Sequence, residues 1–218
     1  MSTPATSSPS AHPFAESTPL GLLGLAIGCA ALTPVAFGVA LTPAALRTAA
    51  MFCLLFGGGG QLLAGLLALA NKNLLGGTLF TTFSFNWIIN WWALRELADG
   101  HVPDSSIILA VDACFLVIFV VLTFAFGYFS KILVLFLADI DLLYVLRITR
   151  ELTHAAALGK AIAGCTVLLG CISLWIAFAL LVNSSAGRVI FVMPGPLFVA
   201  TPPAPDKAGQ AASMGVSS

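Results

Sequence analysis

Residues 106–129 read SIILAVDACFLVIFVVLTFAFGYF. A single charge, Asp112, interrupts twenty-four otherwise uncharged and mostly apolar residues. As a helix rising about 1.5 Å per residue, the stretch is about 36 Å long, enough to cross the roughly 30 Å of hydrocarbon in a bilayer. As a strand it would lack the polar-in, apolar-out alternation that a membrane barrel needs. It therefore predicts a transmembrane helix.

Five more apolar runs flank it, at 20–41, 44–70, 74–94, 132–148 and 158–182. The breaks between them are short and hold most of the charges: Thr42-Pro43, Asn71-Lys72-Asn73, Glu96 to Asp104, Ser130-Lys131 and Thr149 to His154. Backbone re-enters water at such places, and loops this short impose an up-and-down order on neighbouring helices. The expected fold is an all-α membrane protein, a six-transmembrane-helix bundle over 19–183. A disordered polar tail at 1–18 precedes it and a flexible C-terminal segment at 184–218 follows. The Pro-broken apolar stretch up to Pro205 is too short to span and is expected to lie along the protein or the membrane interface.

Only 8% of the residues are charged and 59% are hydrophobic, so the natural solvent is lipid rather than water. Nine basic and nine acidic side chains cancel, which leaves no electrostatic footprint for nucleic acid. Basic residues divide five (Arg47, Arg95, Arg147, Arg150, Lys160) against four (Lys72, Lys131, Arg188, Lys207), so charge asymmetry does not orient the bundle. The five cysteines lie in apolar runs without a CxxC pair and read as small core residues. His12, His101 and His154 fall in the tail and loops, and no GxSxG, HExxH or phosphate-loop motif occurs. Neither an enzyme, a metal site nor a cofactor is expected.

Small residues recur at Gly21, Gly24 and Gly28 and in the run Gly57 to Gly60. Helices in lipid associate through close backbone approach, so these mark tight helix contacts; room beside a pathway, with Gln61 as a polar lining group, is the other reading. The third run is the most polar. Phe83, Asn86 and Asn90 are spaced i, i+3, i+7 and share a face that either lines a pore or hydrogen-bonds a neighbouring helix. Trp91 and Trp92, just before Arg95, read as an interfacial belt.

Asp112, Asp139 and Asp141 fall within spans, where ionisable groups are costly and mark function by default. Asp139 and Asp141 stand about 200° apart around a helix and cannot address one site, which argues against a catalytic acid pair. Asp112 is near enough to the start of its helix to reach the interface. Asp139 and Asp141 are candidates for protonation or for pairing with Lys131 or Arg147.

Thr18-Pro19-Leu20-Gly21-Leu22 opens the first span, and Phe56-Gly57-Gly58-Gly59-Gly60-Gln61 with Ala64-Gly65-Leu66-Leu67 fills the second. Asn73 to Trp87, with Gly76, Thr78, Phe80, Thr81 and Trp87 in register, continues the pattern, and Gly187-Arg188 with Pro194 closes it. In this order the motifs resemble those of the acetate uptake transporter family. The resemblance covers about residues 17 to 195 and is densest from Phe56 to Trp87. It implies a homo-oligomer, a hexamer, in a lipid bilayer and specifically a plasma membrane. Each protomer would pass acetate, related small monocarboxylates or succinate, passively or with protons. The family's apolar constriction falls by register on Leu25, Phe83 and Ile140, with Gln61, Thr81, Asn86 and Asn90 as pore-lining residues. Glu16 and Ser17 stand where the family signature has Asn and its first Pro, Leu25 replaces an aromatic, and Asp139 and Asp141 replace uncharged residues. A channel for another small solute, and a non-transporting sensor or assembly protein with Asp139 and Asp141 paired across helices, are the competing expectations.

Overall fold

The computed structural model describes residues 13–199, and the expected tail residues 1–12 and 200–218, with His12 and Lys207, lie outside that range. Six helices account for most of it: α1 (Thr18–Ala36), α2 (Pro43–Ala70), α3 (Leu74–Ala98), α4 (Ser105–Phe126), α5 (Lys131–Thr153) and α6 (Leu158–Ala186). No strand occurs among the described residues. α1, α2, α4 and α6 are long and apolar enough to cross a membrane on composition alone. α3 and α5, with 25 and 23 residues, have the length but carry more polar and charged side chains. The chain is thus an all-α membrane protein, and its two polar helices are the ones that furnish the interior.

Local chemistry sets the helix ends. Pro19 and Pro43 occupy first-turn positions, where a missing N–H costs nothing. Thr42 accepts from the Ala45 N–H at 3.2 Å, Asn73 from the Gly76 N–H at 2.9 Å, and Asp104 from the Ser106 and Ile107 N–H groups at 2.9 and 3.1 Å. At α1 the N-cap Ser17 makes no side-chain capping bond, and the carboxylate of Glu16 just before it accepts from both the N–H and the hydroxyl of Thr18. An anion there also meets the positive end of the helix dipole, so Glu16 has a local structural role. Gly187 ends α6 and Gly100 follows α3, both with positive φ.

The helices pack in the spatial order α4, α5, α6, α1, α2, α3. Glycines make the α1–α2–α3 side close. A Cβ on Gly24 would sit 2.5 Å from the Phe56 carbonyl oxygen, and one on Gly57 would overlap the Trp87 ring. The run Cys53–Gly60 widens into a π-helical turn within α2 at this contact. The ring of helices does not close through backbone, because α3 and α4 do not pack along their lengths. Side chains bridge them instead, with Phe83 and Phe119 edge to face at 5.1 Å between ring centroids.

Residues 187–199 run back over one end of the bundle. Asn183 holds the strap's start, accepting from the Ile190 and Phe191 N–H groups and donating to the Phe191 carbonyl. The Lys131 N–H donates to the Gly195 carbonyl, and Phe198 packs against Phe124 and Tyr128. The same end holds the start of α1, where Phe14 is hydrogen-bonded to Asn71. Of the cysteines, Cys29, Cys53 and Cys165 are buried, whereas Cys114 and Cys171 face outward, a departure from the expected core role.

Candidate functional site

The space left between α3 and α4 is a cavity of about 740 Å³, bounded by α1, α3, α4, α5 and α6 and not by α2. On α3 its lining runs from Phe83 to Leu97, on α5 from Ile140 to Glu151, and on α1 from Cys29 to Ala36. These three helices run in the same direction, so the cavity occupies one half of the bundle thickness and opens beside the α3–α4 and α5–α6 loops. Its floor lies near mid-bundle at Phe83 and Ile140, 5% and 1% exposed. Beyond that level Leu22, Leu25, Phe80 and Leu137 fill the core.

Five of the expected site residues come together here: Phe83, Asn86, Asn90, Asp112 and Ile140. The face that carries Phe83, Asn86 and Asn90 lines the cavity, and neither amide hydrogen-bonds another described residue. Free amide dipoles in the cavity wall can replace part of a solute's hydration shell.

The other five lie elsewhere. Leu25 is fully buried one turn beyond the floor residue Cys29. Thr81 sits at the α2–α3 contact, its hydroxyl donating to the Gly77 carbonyl at 2.7 Å and pressed against Gly65. Gln61 is fully enclosed in α2, and its amide has no hydrogen-bond partner among the described residues. Asp139 turns toward α6, where the Cys165 thiol is its polar neighbour and no N–H or ordinary O–H reaches it. Asp141 turns toward α4 and accepts from the Thr123 hydroxyl at 2.6 Å. The two acids thus address different helices, and neither pairs with Lys131 or Arg147.

Arg147 pairs instead with Asp112, Nε to Oδ2 at 3.0 Å, with only 8% of the Asp112 side chain and 24% of the Arg147 side chain exposed. Asp112 is therefore a largely buried, ion-paired group in the cavity wall. Arg147 also lies over the Tyr144 ring, 5.6 Å from its centroid. Tyr144 stacks on Phe115 and Phe119, and Phe119 meets Phe83, so ring contacts connect the floor of the cavity to its ion pair. Arg147 and Tyr144 were not singled out as site residues by sequence reasoning. The available signal was periodicity: Ile140, Tyr144 and Arg147 fall at i, i+4, i+7, one face of α5.

The chain is thus a six-helix membrane bundle with a one-sided cavity that ends in an apolar floor. The solved structure of the bacterial acetate channel SatP has this fold: it aligns with a TM-score of 0.74 over 83% of this chain and 99% of the channel, at 21% identity. No family model matches the sequence, and no curated protein matches it.

Proposed function

We propose that this chain is a membrane channel for acetate and related small carboxylates. The observation that carries the reading is the cavity itself, with Asn86, Asn90 and Arg147 in its wall and Phe83 and Ile140 across its inner end. A hydrated ion is poorly accommodated at such an apolar floor, whereas a short carboxylate presents a methyl group to the rings and an anionic head to amides and guanidinium. The shared fold with an acetate channel supports the same reading. Succinate as a second substrate, proton linkage, a plasma-membrane location and a hexamer in which each protomer has its own pathway are extensions of this proposal.

The test is acetate flux into proteoliposomes, with Phe83→Ala beside the parent and an imposed pH gradient. Saturable flux above empty liposomes, raised by Phe83→Ala, supports the channel and its constriction. Folded parent protein that carries no acetate overturns it.

One observation favours a second reading, a channel for a small neutral solute: the charges that line the cavity balance, Arg147 and Arg150 against Asp112 and Glu151. Acetamide passing while acetate is excluded distinguishes the two. The non-transporting reading requires Asp139 and Asp141 to pair across helices, and their separate environments weigh against it.

A further inference from the structure

We propose that Arg147 is a carboxylate-binding station in the outer half of the cavity, with Asp112 as its resident counter-ion; the inference rests on the small-carboxylate reading and assigns that solute a docking place. Arg147 is seven residues, two turns, from Ile140, which sets it about 10 Å along the helix axis outside the floor.

A guanidinium presents five N–H donors in a planar fork suited to a carboxylate. Asp112 engages it through Nε, and the terminal nitrogens donate to no other described residue. The Tyr144 ring covers one face of the group, leaving its free edge in the cavity wall. A second feature lies next to it in the same wall. Tyr144 is 1% exposed, lines the cavity, and its hydroxyl has no hydrogen-bond partner among the described residues. A buried hydroxyl without a partner costs free energy, and a carboxylate held by Arg147 would supply an acceptor beside it.

The balanced charges of the wall give this pair its meaning. With Arg150 offset by Glu151, the wall carries no net charge to draw anions inward, and selection falls to a local exchange in which the solute shares or displaces Asp112 on Arg147. A counter-ion fixed to the neighbouring helix keeps Arg147 satisfied between solutes, and its competition prevents an entering carboxylate from being trapped.

The experiment uses the full-length protein in detergent and in liposomes, titrated with sodium acetate against acetamide at constant ionic strength. It follows the unfolding temperature and the flux for the parent, Asp112→Asn, Arg147→Lys and the double variant Arg147→Gln/Asp112→Asn. The double variant leaves no buried charge without a partner, so it separates loss of the station from loss of the fold. Acetate, and not acetamide, is expected to raise the unfolding temperature of the parent. Asp112→Asn should lower the half-saturating acetate concentration by about tenfold, the worth of one charge-assisted hydrogen bond. Arg147→Lys should weaken acetate binding, and the double variant should abolish its acetate dependence. A double variant that keeps the parent's acetate dependence, or an Asp112→Asn protein that binds acetate more weakly, overturns the station. Acetate stabilisation without acetate flux supports the station and overturns the channel reading. Acetate flux that is the same in parent and double variant supports the channel and overturns the station.

Discussion

Helix α3 packs on its two sides in opposite ways. Against α2 the contacts are made through glycines of both helices: Gly65 of α2 faces Thr81, Gly77 of α3 faces Leu69, and Gly57 of α2 lies under the Trp87 ring, each without room for a Cβ. Toward α4 it extends Phe83, which touches Phe119 through ring edges while the two backbones stay apart. Small residues let backbones close and leave no space between them, whereas bulky rings hold helices at a distance and leave a cavity beside the bridge. One helix thereby seals one seam and opens the next.

The strongest way to break this contrast is Gly57→Val, which would force the α2–α3 seam apart. We expect destabilisation of about 3 kcal/mol or more, read as loss of monodisperse protein and of the cooperative unfolding transition. An unchanged unfolding temperature would mean that the seam is not tight. On the open side, Phe83→Ala should cost a similar amount, about 3 kcal/mol, through the lost ring contacts, yet raise solute flux because the floor opens. Lower stability with unaltered flux would show that Phe83 is packing alone.

Asp139 tests a third seam, between α5 and α6. Its carboxyl is 4% exposed and has only a thiol for polar company, so the neutral isostere Asp139→Asn should stabilise the protein by about 1–3 kcal/mol at neutral pH in a denaturation series. Reduced stability would reveal that an ionised or proton-sharing carboxyl is required there. Gly164 in α6 has no atom within 4 Å of a would-be Cβ, unlike the glycines of the α2–α3 seam. Gly164→Ala should therefore raise stability by about 0.5–1 kcal/mol in the same measurement. The smallest effect is expected at the surface pair Arg47–Asp99, 2.7 Å long and roughly half-exposed. The hydrogen bond from Arg47 holds the Asp99 carboxyl below its usual range. Its contribution is present above the unfolded-state pKa of an aspartate and lost as pH falls through the folded one, so Arg47→Ala should flatten stability slightly in that acid window and leave flux unchanged.

Much of this organisation was legible in the sequence. The spans appear as apolar runs of bilayer length, and Thr42-Pro43 and Asn71-Lys72-Asn73 appear as the polar breaks between them. The face of Phe83, Asn86 and Asn90 followed from helical spacing, and so did the separation of Asp139 from Asp141. Which neighbour each face meets did not follow. Thr81 lies in a polar-looking stretch, yet it turns into the glycine-sealed side, because the rotation of α3 is set by where glycines let it touch α2; Gln61, in an apolar stretch, is fully enclosed. Asp112 found Arg147, 35 positions away on the next helix, through the packing of α4 on α5.

The sequence by itself determined that the chain lives in a membrane as six helices, because burial in lipid is decided by composition along each segment and backbone hydrogen bonds in lipid must close within it. Only the tertiary structure decided where the cavity lies and which side chains furnish it. Those depend on the rotation of each helix and on pairs such as Arg147–Asp112 and Phe83–Phe119, contacts between segments that no single segment encodes.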